Sequence, residues 1–261
     1  PARSMPSKPS ANTVRSKDFI CPYAAFYDAI RGAEAAMTPY HEHMNTYLNI
    51  HTHRPPASPT ETVIRNYILH DVPYEQEKAT PRESFSAGIH PWYVPAHPET
   101  ALEELARLAA LPACKAIGET GPDIFAAAPM PLQCNLFLRQ AELAANHRLP
   151  LIIHCVRAWD KLFAMQKEMP AGLTCIIHGF RGKPELAGSL LHHGFYLSFG
   201  FHFHPQSLSL CPPERLFLET DEDRRHVEVL YHTAAALHAC SPDSLRIQCH
   251  KNFERITAPS K

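Results

Sequence analysis

Six side chains of types that bind divalent metals stand at the ends of five short apolar runs. They are His51 and His53, then Glu119, His154, His178 and Asp221. Side chains alternate along a β-strand, so His51 and His53 leave the backbone on the same face and can reach one ion. Imidazole and carboxylate groups together suit Zn, Mg, Mn and Fe. If the five runs are parallel strands of a barrel, their carboxyl ends meet at one mouth, and the six side chains predict a metal site there.

Each of these residues also has an ordinary structural explanation when it is taken alone. A single histidine that closes an apolar strand, such as His154 or His178, is more often a hydrogen-bonded residue of the core or rim. Glu119 could follow a turn and open a helix, and Asp221 could belong to the charged loop 221–225. The metal interpretation is favoured because all of them fall at the same strand ends, where unpaired charged groups need a cation.

Short apolar runs alternate with longer helical patterns from Tyr47 onward. The predicted strands are 47–53, 61–68, 84–91, 114–120, 150–155, 174–180, 195–200 and 215–221. The predicted helices are 98–111, 131–148, 158–169, 183–194 and 226–240. Strands that alternate with helices indicate a parallel sheet, so the α/β pattern predicts a TIM-type (β/α)8 barrel. Little helix separates the first two strands, which predicts an irregular start, and a doubly wound open sheet is the alternative fold.

The helix predicted at 131–148 has an apolar stripe. At three-to-four spacing, the stripe contains Leu132, Leu136, Phe137, Ala141 and Leu143. We expect this face of the helix to cover the sheet.

Composition and charge narrow the classes of function. The 25 Lys and Arg residues against 26 Asp and Glu give a net charge of -1, so any phosphate binding must be local and not a general attraction to nucleic acid. The eight cysteines form no C-x-x-C pair, which argues against a disulfide framework or zinc knuckle and fits a reducing cytoplasm. No run of 18 apolar residues occurs, so no membrane span is expected.

Residues 1–46 differ from the rest of the chain and are predicted to be an N-terminal extension of a hydrolase barrel at 47–261. Residues 1–17 are rich in Ser, Pro, Ala and Arg and contain no acid, which favours a flexible extension. A transit-like segment, a processed leader or an expression tail shares this composition.

Seven blocks resemble, in order, those of the TatD family of metal-dependent deoxyribonucleases. The blocks are NIHTH, SAGIHPW, KAIGETGPD, PLIIHC, IIHGFRG, LFLETD and NFERI, which fall between residue 47 and about residue 256. The resemblance implies a barrel of the amidohydrolase kind, one to three divalent metals at the strand ends, and hydrolysis of DNA phosphodiesters. By position, it implies a metal shell of His51, His53, Glu119, His154, His178 and Asp221.

The resemblance also implies roles within this shell. A carboxylate such as Glu119 can bridge two cations, so two divalent metals per chain are expected. One would lie nearer His51, His53 and Asp221, and the other nearer the histidines that end the fifth and sixth strands. Asp221 is the best candidate to accept the proton of the attacking water, so Asp221 and Glu119 are the expected catalytic residues. Zn, Mg, Mn and Fe all remain open.

Substrate contacts are predicted around the shell. His90 of GIHPW ends the third strand, and the resemblance makes it a contact to substrate or to the metal ligands. Arg157 and Arg181, with Lys161 and Lys183, lie just beyond ligand-bearing strands and could meet phosphate, although solvated helix starts explain them equally well. DNA or another phosphodiester is therefore the expected substrate.

The chain departs from the family pattern at three places. An acidic residue usually follows the first histidine pair, where this chain has Arg54-Pro55-Pro56. The arginine common two residues after the fifth-strand histidine is replaced by Val156, and Arg157 is shifted by one place. After the last ligand, the charged residues 222–225 stand where the family tends toward a short apolar turn. Phosphate contact and substrate preference are expected to differ accordingly.

Two other possible reactive groups are disfavoured. His202-x-His204 repeats the spacing of the first pair, but it lies where a loop is expected. Cys155 follows His154 and should point away from it by strand alternation, which argues against a Cys-His nucleophile.

The alternative function is an amidohydrolase-type enzyme that cleaves C–N or ester bonds of a small molecule. In that case Lys115, on the same predicted strand face as Glu119, could be modified to bridge metals. A non-catalytic metal-bound barrel that acts as a binding partner is a third possibility, which the intact shell disfavours.

Overall fold

Eight parallel strands form one sheet within the described residues, 44–70 and 83–258, of this computed structural model. They are β1 (Tyr47–Thr52), β2 (Glu61–Ile68), β3 (Glu83–Gly88), β4 (Cys114–Thr120), β5 (Leu151–Ile153), β6 (Cys175–Ile177), β7 (Tyr196–Phe199) and β8 (Leu216–Leu218). Each strand pairs in parallel with the next in chain order. The predicted (β/α)8 architecture and all eight strands are confirmed, whereas residues 1–43, most of the predicted extension, lie outside the described part.

Helices follow most of the strands. They are α1 (Pro98–Ala109), α2 (Met130–His147), α3 (Trp159–Gln166), α4 (Pro184–His192), α5 (Pro205–Leu210), α6 (Val227–Leu237) and α7 (Pro242–Thr257), with 3₁₀ turns at Pro91–Tyr93 and Pro213–Arg215. The five predicted helices are confirmed, and α5 and α7 were not predicted. Residues 53–60 join β1 to β2 without a helix, which confirms the irregular start of the barrel.

The barrel closes where β1 meets β8. The backbone N–H of Asp221 donates to the carbonyl of His51 (3.1 Å), and the N–H of His53 donates to the carbonyl of Asp221 (3.2 Å). The side-chain amide of Asn49 donates to the Thr220 hydroxyl (2.8 Å), and its oxygen accepts from the Thr220 N–H (3.0 Å). These bonds bring the first and last predicted metal ligands together before any ion is considered.

Two apolar layers hold the strands in place. The inner layer fills the barrel below the mouth and contains Leu48, Ile50, Ile64, Ala116, Ile152, Ile176, Tyr196 and Phe217. The outer layer packs alternate strand residues, such as Ile117, Ile153 and Ile177, against the helices. Because both layers are closely packed, the strand ends are set at fixed positions around the mouth.

The buried face of α2 differs from the predicted stripe. Leu132 is exposed and Leu143 is only partly buried, so the prediction is wrong at these two positions. Gln133 and Gln140 are buried instead, and they bind loop backbone near the mouth. The Gln133 oxygen accepts from the N–H of Asp123 (2.8 Å), and the Gln140 oxygen accepts from the N–H of Ile89 (2.7 Å).

Gly118 allows β4 and β5 to approach closely just before Glu119. Its φ is +128°, and a Cβ built there would lie 2.3 Å from the carbonyl oxygen of Ile152. A side chain would therefore have to displace the backbone of the neighbouring strand.

Gly118→Ala is expected to lower the free energy of unfolding by about 2 kcal/mol or more, through steric overlap and backbone strain. The matched control is Gly188→Ala inside α4, where no described atom lies within 4 Å of the added Cβ. This control is expected to raise stability by about 0.5–1 kcal/mol. Urea unfolding of both variants measures the difference, and equal stabilities would contradict this account.

Candidate metal centre

The carboxylate of Glu119 lies at the centre of a ring of histidines at the barrel mouth. Its Oε1 is 2.6 Å from His154 Nδ1, 2.6 Å from His178 Nε2 and 3.2 Å from His90 Nε2. The side chain is buried, and three different strand ends supply the imidazoles around this one oxygen. This side of the carboxylate therefore has a group of nitrogen donors.

The other oxygen of Glu119 faces the first histidine pair. Glu119 Oε2 is 3.4 Å from His51 Nε2 and 3.9 Å from His53 Nε2. Asp221 Oδ1 approaches the same two rings, at 3.4 Å from His53 Nε2 and 3.8 Å from His51 Nε2. The structure thus brings all six predicted ligands together, with Glu119 between two sets of donors.

The chemistry of these donors fits divalent metal. Within the described part of the chain, neither ring nitrogen of the fully buried His51 has a hydrogen-bond partner, which is costly unless another group takes up the lone pair. Three groups have donor atoms within 4.8 Å of one another: His51, Glu119 and His178; His51, His53 and Asp221; and His90, Glu119 and His154. Mixed imidazole and carboxylate donors at this spacing suit several divalent metals. Their role as ligands stays a prediction.

Charge pairing keeps the central carboxylate ionised. Burial alone would raise the pKa of Glu119, but the positive charge of His178 and the hydrogen bonds from His154 and His178 hold this pKa well below its ordinary value. Burial likewise lowers the pKa of His178, yet the charges of Glu119 and Glu219 outweigh burial and raise this pKa well above its usual range. Without metal, protonated imidazole thus supplies the positive charge that a cation can replace.

The pKa values of Asp221 and His90 also depend on the opposing effects of burial and of neighbouring charged or hydrogen-bonding groups. Burial would raise the pKa of Asp221, but the hydrogen bond with His53 and the charge of His51 keep this pKa low. Burial lowers the pKa of His90, and Glu119 offsets this only in part. Asp221 is therefore a carboxylate, and its side chain is still 30% exposed toward the cavity.

Two carboxylates behind the ring orient its histidines. Asp123 Oδ2 is 2.9 Å from His154 Nε2, and Glu219 Oε1 is 3.2 Å from His178 Nδ1. In both histidines, these acids face the ring nitrogen opposite the one near Glu119. Such partners select the tautomer and fix the direction of the ring.

Asp123 and Glu219 are not among the site residues that the sequence predicts. Both were visible as acids inside the blocks KAIGETGPD and LFLETD. Glu219 is fully buried and also accepts from Ser198 Oγ and from the N–H of Gly179 (2.8 Å). The spacing of acids in the sequence does not distinguish an acid that binds a metal from an acid that orients a metal-binding histidine.

Predicted substrate contacts line a cavity of about 1470 Å³ above the ring. Arg157, Arg181 and Lys183 belong to its wall, whereas Lys161 is not among the described lining residues and lies beside Asp160 (3.5 Å). His90 belongs to the ring itself, so its position permits a role as metal ligand as well as a substrate contact.

The shifted arginine has a structural explanation. Val156 pairs with the loop after β4, because its N–H donates to the carbonyl of Pro122 (3.1 Å) and its carbonyl accepts from the N–H of Ile124 (3.3 Å). Arg157 follows with a φ of +51° and lines the cavity. The basic group is thus present at the cavity wall despite the shift by one place.

The disfavoured groups lie apart from the ring. Burial raises the pKa of the Cys155 thiol to about 12, which does not suit a nucleophile. None of the three donor groups found among the described residues includes His202 or His204. Lys115 is not among the described residues that line the cavity, and its neighbour Ala116 packs inside the barrel, so strand alternation places Lys115 outside. The prediction that Lys115 shares a face with Glu119 is wrong, because β4 is irregular between Ile117 and Thr120 and alternation does not continue to Glu119. The bridge expected for the amidohydrolase alternative is therefore missing from this cavity.

None of the helices in the described ranges is both long and apolar enough to cross a membrane.

The chain is similar to known metal-dependent hydrolases. The family profile of TatD-related DNases matches residues 63–257. An uncharacterised metal-dependent hydrolase of Haemophilus influenzae is 28% identical over 151 residues, which cover 52% of this chain and 58% of that protein. A protein of Pantoea sp. named 3'-5' ssDNA/RNA exonuclease TatD is 33% identical over 149 residues, 52% of this chain and 56% of that protein. The chain thus spans little more than half the length of these curated relatives.

The fold has a close counterpart among solved structures. The crystal structure of YjjV, a TatD homologue from Escherichia coli, superposes with a TM-score of 0.69 at 19% identity. The superposition covers 83% of this chain and all of that one. At this identity, the likeness supports the barrel and its strand order.

Glu219→Gln is expected to weaken metal binding roughly 10–100-fold, because it removes the charge that holds His178 in place. Glu228→Gln on α6 is the matched control, since that side chain is 47% exposed, lies 3.7 Å from His232 and is not among the described residues that line the cavity. Isothermal titration with Zn and Mn measures the affinities, and thermal unfolding confirms that both variants are folded. A Glu219→Gln protein that binds metal like the wild type would disprove the orienting role.

Proposed function

Because the chain belongs to the family of TatD-related DNases, we propose that it is a metal-dependent hydrolase that cleaves phosphodiester bonds of DNA at the barrel mouth. The observation that carries the proposal is the ring around Glu119, where six imidazole and carboxylate side chains converge beside a cavity with basic walls. The name of the Pantoea relative supports a nucleic acid as the substrate.

We propose two divalent metal ions per chain. His51, His53 and Asp221 would hold one ion, His154 and His178 would hold the other, and Glu119 would bridge them. When bound, such ions supply Lewis acidity, which polarises the phosphoryl oxygen and makes water a better nucleophile. Zn, Mg, Mn and Fe are the candidate ions, because mixed imidazole and carboxylate ligands bind all four.

Asp221 is the proposed proton acceptor. Its low pKa keeps the carboxylate ionised, and its partial exposure lets it reach water in the cavity. Glu119 is buried among five imidazoles and has no comparable access, so its role is to hold the centre together. The two carboxylates therefore differ in function because they differ in exposure.

The basic wall of the cavity is proposed to bind the substrate backbone. Arg157, Arg181 and Lys183 all line it and can neutralise phosphate charge close to the ring. This local cluster is consistent with a chain whose net charge is -1. Affinity for DNA should then depend on the cavity and not on the overall surface.

A cytoplasmic location is also proposed. The seven cysteines of the described residues are free thiols, which suits a reducing compartment.

A labelled single-stranded oligonucleotide is expected to be cleaved by metal-loaded protein, with activity abolished by a chelator and restored by a divalent ion. Assays with Zn, Mg, Mn and Fe, together with elemental analysis, give the preferred metal and the number bound. At least two ions per chain are expected, because the ligand side chains exceed what one tetrahedral site requires. Cleavage that resists the chelator, or loading that never exceeds one ion, would contradict the two-metal proposal.

The roles of Glu119 and Asp221 are separable by two isosteric variants. Glu119→Gln should lose metal affinity and recover part of its activity at high metal concentration, because a neutral amide bridges cations poorly. Asp221→Asn should keep most of its metal but lose roughly 10²-fold or more in kcat, because the proton acceptor is gone.

Bound metal and kcat are measured together for both variants. Full recovery of Asp221→Asn by added metal would show that Asp221 is a ligand only.

A further inference from the structure

Three aromatic side chains at the cavity rim are exposed to solvent. Trp92, Tyr93 and Phe125 are 54%, 52% and 57% exposed, and all three line the cavity that contains Glu119. Large aromatic groups are normally among the more buried side chains, and a group of them left exposed together marks a binding surface. We call these three side chains the aromatic shelf.

The shelf is fixed to the metal centre through one carboxylate. Asp123 Oδ2 accepts from the Trp92 indole N–H (2.6 Å), and Asp123 Oδ1 accepts from the backbone N–H of Phe125 (2.8 Å). The same carboxylate lies 2.9 Å from His154. The Asp123 side chain therefore helps to position two of the three shelf residues and the imidazole of His154.

Tyr93 is joined to the centre in another way. Its backbone N–H donates to the carbonyl of His90 (3.0 Å), and the two rings are 5.6 Å apart between centroids. The shelf is therefore directly adjacent to His90 and the other histidines around Glu119. A group bound on the shelf would lie next to the phosphate that reacts in the proposed function.

Positive charge accompanies the shelf. The guanidinium carbon of Arg157 lies 5.4 Å from the centroid of the Phe125 ring, and Arg181 and Lys183 line the same cavity. Aromatic faces beside cations are what an unpaired nucleotide requires, because its base stacks on a ring while its phosphate meets the charge.

We propose that the aromatic shelf is a base-stacking subsite for a nucleotide adjacent to the scissile phosphate of a single strand. The inference rests on the proposed nuclease function and adds a reason for strand selection. In a duplex, neighbouring bases cover the faces that the shelf would contact, whereas an unpaired end offers them. Every base has such a face, so little sequence preference is expected.

Tryptophan fluorescence tests the shelf apart from cleavage. The chain has two tryptophans, Trp92 and Trp159, so Trp159→Phe leaves Trp92 as the only indole reporter. Metal-loaded Trp159→Phe protein is titrated with a short phosphorothioate thymidine oligomer, which resists hydrolysis, and with an abasic phosphorothioate oligomer of equal length. The thymidine oligomer is expected to quench Trp92 and to bind roughly tenfold more tightly than the abasic one.

Shelf variants are then compared in the same background. Phe125→Ala and Tyr93→Ala should each weaken the thymidine oligomer roughly tenfold and leave the abasic oligomer unchanged. Phe125→Tyr should keep the wild-type preference, because it keeps the ring. Val229→Ala on α6, also exposed but outside the cavity, is the control and should change neither affinity. Thermal unfolding confirms that the variants are folded.

The outcomes separate the subsite from the nuclease proposal. Equal affinity of the protein for the two oligomers would contradict the proposed subsite. So would alanine variants that bind both oligomers more weakly. Preference for bases without any cleavage of natural DNA would support the subsite and reject the nuclease function. Cleavage of natural DNA without a preference for the thymidine oligomer would support the nuclease function and reject the subsite.

Discussion

The buried negative charge of Glu119 is the constraint on which the arrangement at the barrel mouth depends. A carboxylate removed from water must be compensated, and here imidazoles from the ends of four strands surround it. That arrangement requires the strands to end at matching heights, which parallel pairing and the packed inner layer provide. Asp123 and Glu219 then hold two of the rings from behind. Fold and electrostatics therefore support the same set of side chains.

Much of this arrangement could be predicted from the sequence, because the informative signals are local. Each strand is a short apolar run, and each predicted ligand ends such a run, so the parallel order of the strands was sufficient to place the ligands at one mouth. Asp123 and Glu219 could not be distinguished this way, since their role depends on contacts with His154 and His178 from other strands. The buried face of α2 was misjudged for a related reason: Gln133 and Gln140 are polar, yet loop backbone satisfies them inside the protein. Helix α7 was missed because its buried face includes Arg246, His250 and Asn252, which obscure its apolar pattern.

The similarity to known proteins and the geometry support different parts of the centre. The family profile begins at residue 63, so it does not include His51 or His53. Their place in the centre rests on the backbone bonds to Asp221 and on the distances to Glu119. Arg157 lies one place from the position expected from the family resemblance, and the local backbone still brings this basic residue to the cavity. The local backbone therefore decides which side chains reach the mouth, and a position in a sequence pattern does not decide this alone.

The seam between β1 and β8 has a consequence for biosynthesis. The side chains that meet there are about 170 residues apart in the chain. During translation, the first histidine pair emerges long before its partner Asp221, so a growing chain holds only part of the predicted ligand set until the last strand leaves the ribosome. Closure of such distant contacts is also slow compared with formation of the intervening helices. A chain terminated before the end of β8 would therefore carry most of a barrel and an incomplete set of predicted ligands, so the proposed hydrolytic activity requires synthesis through Asp221.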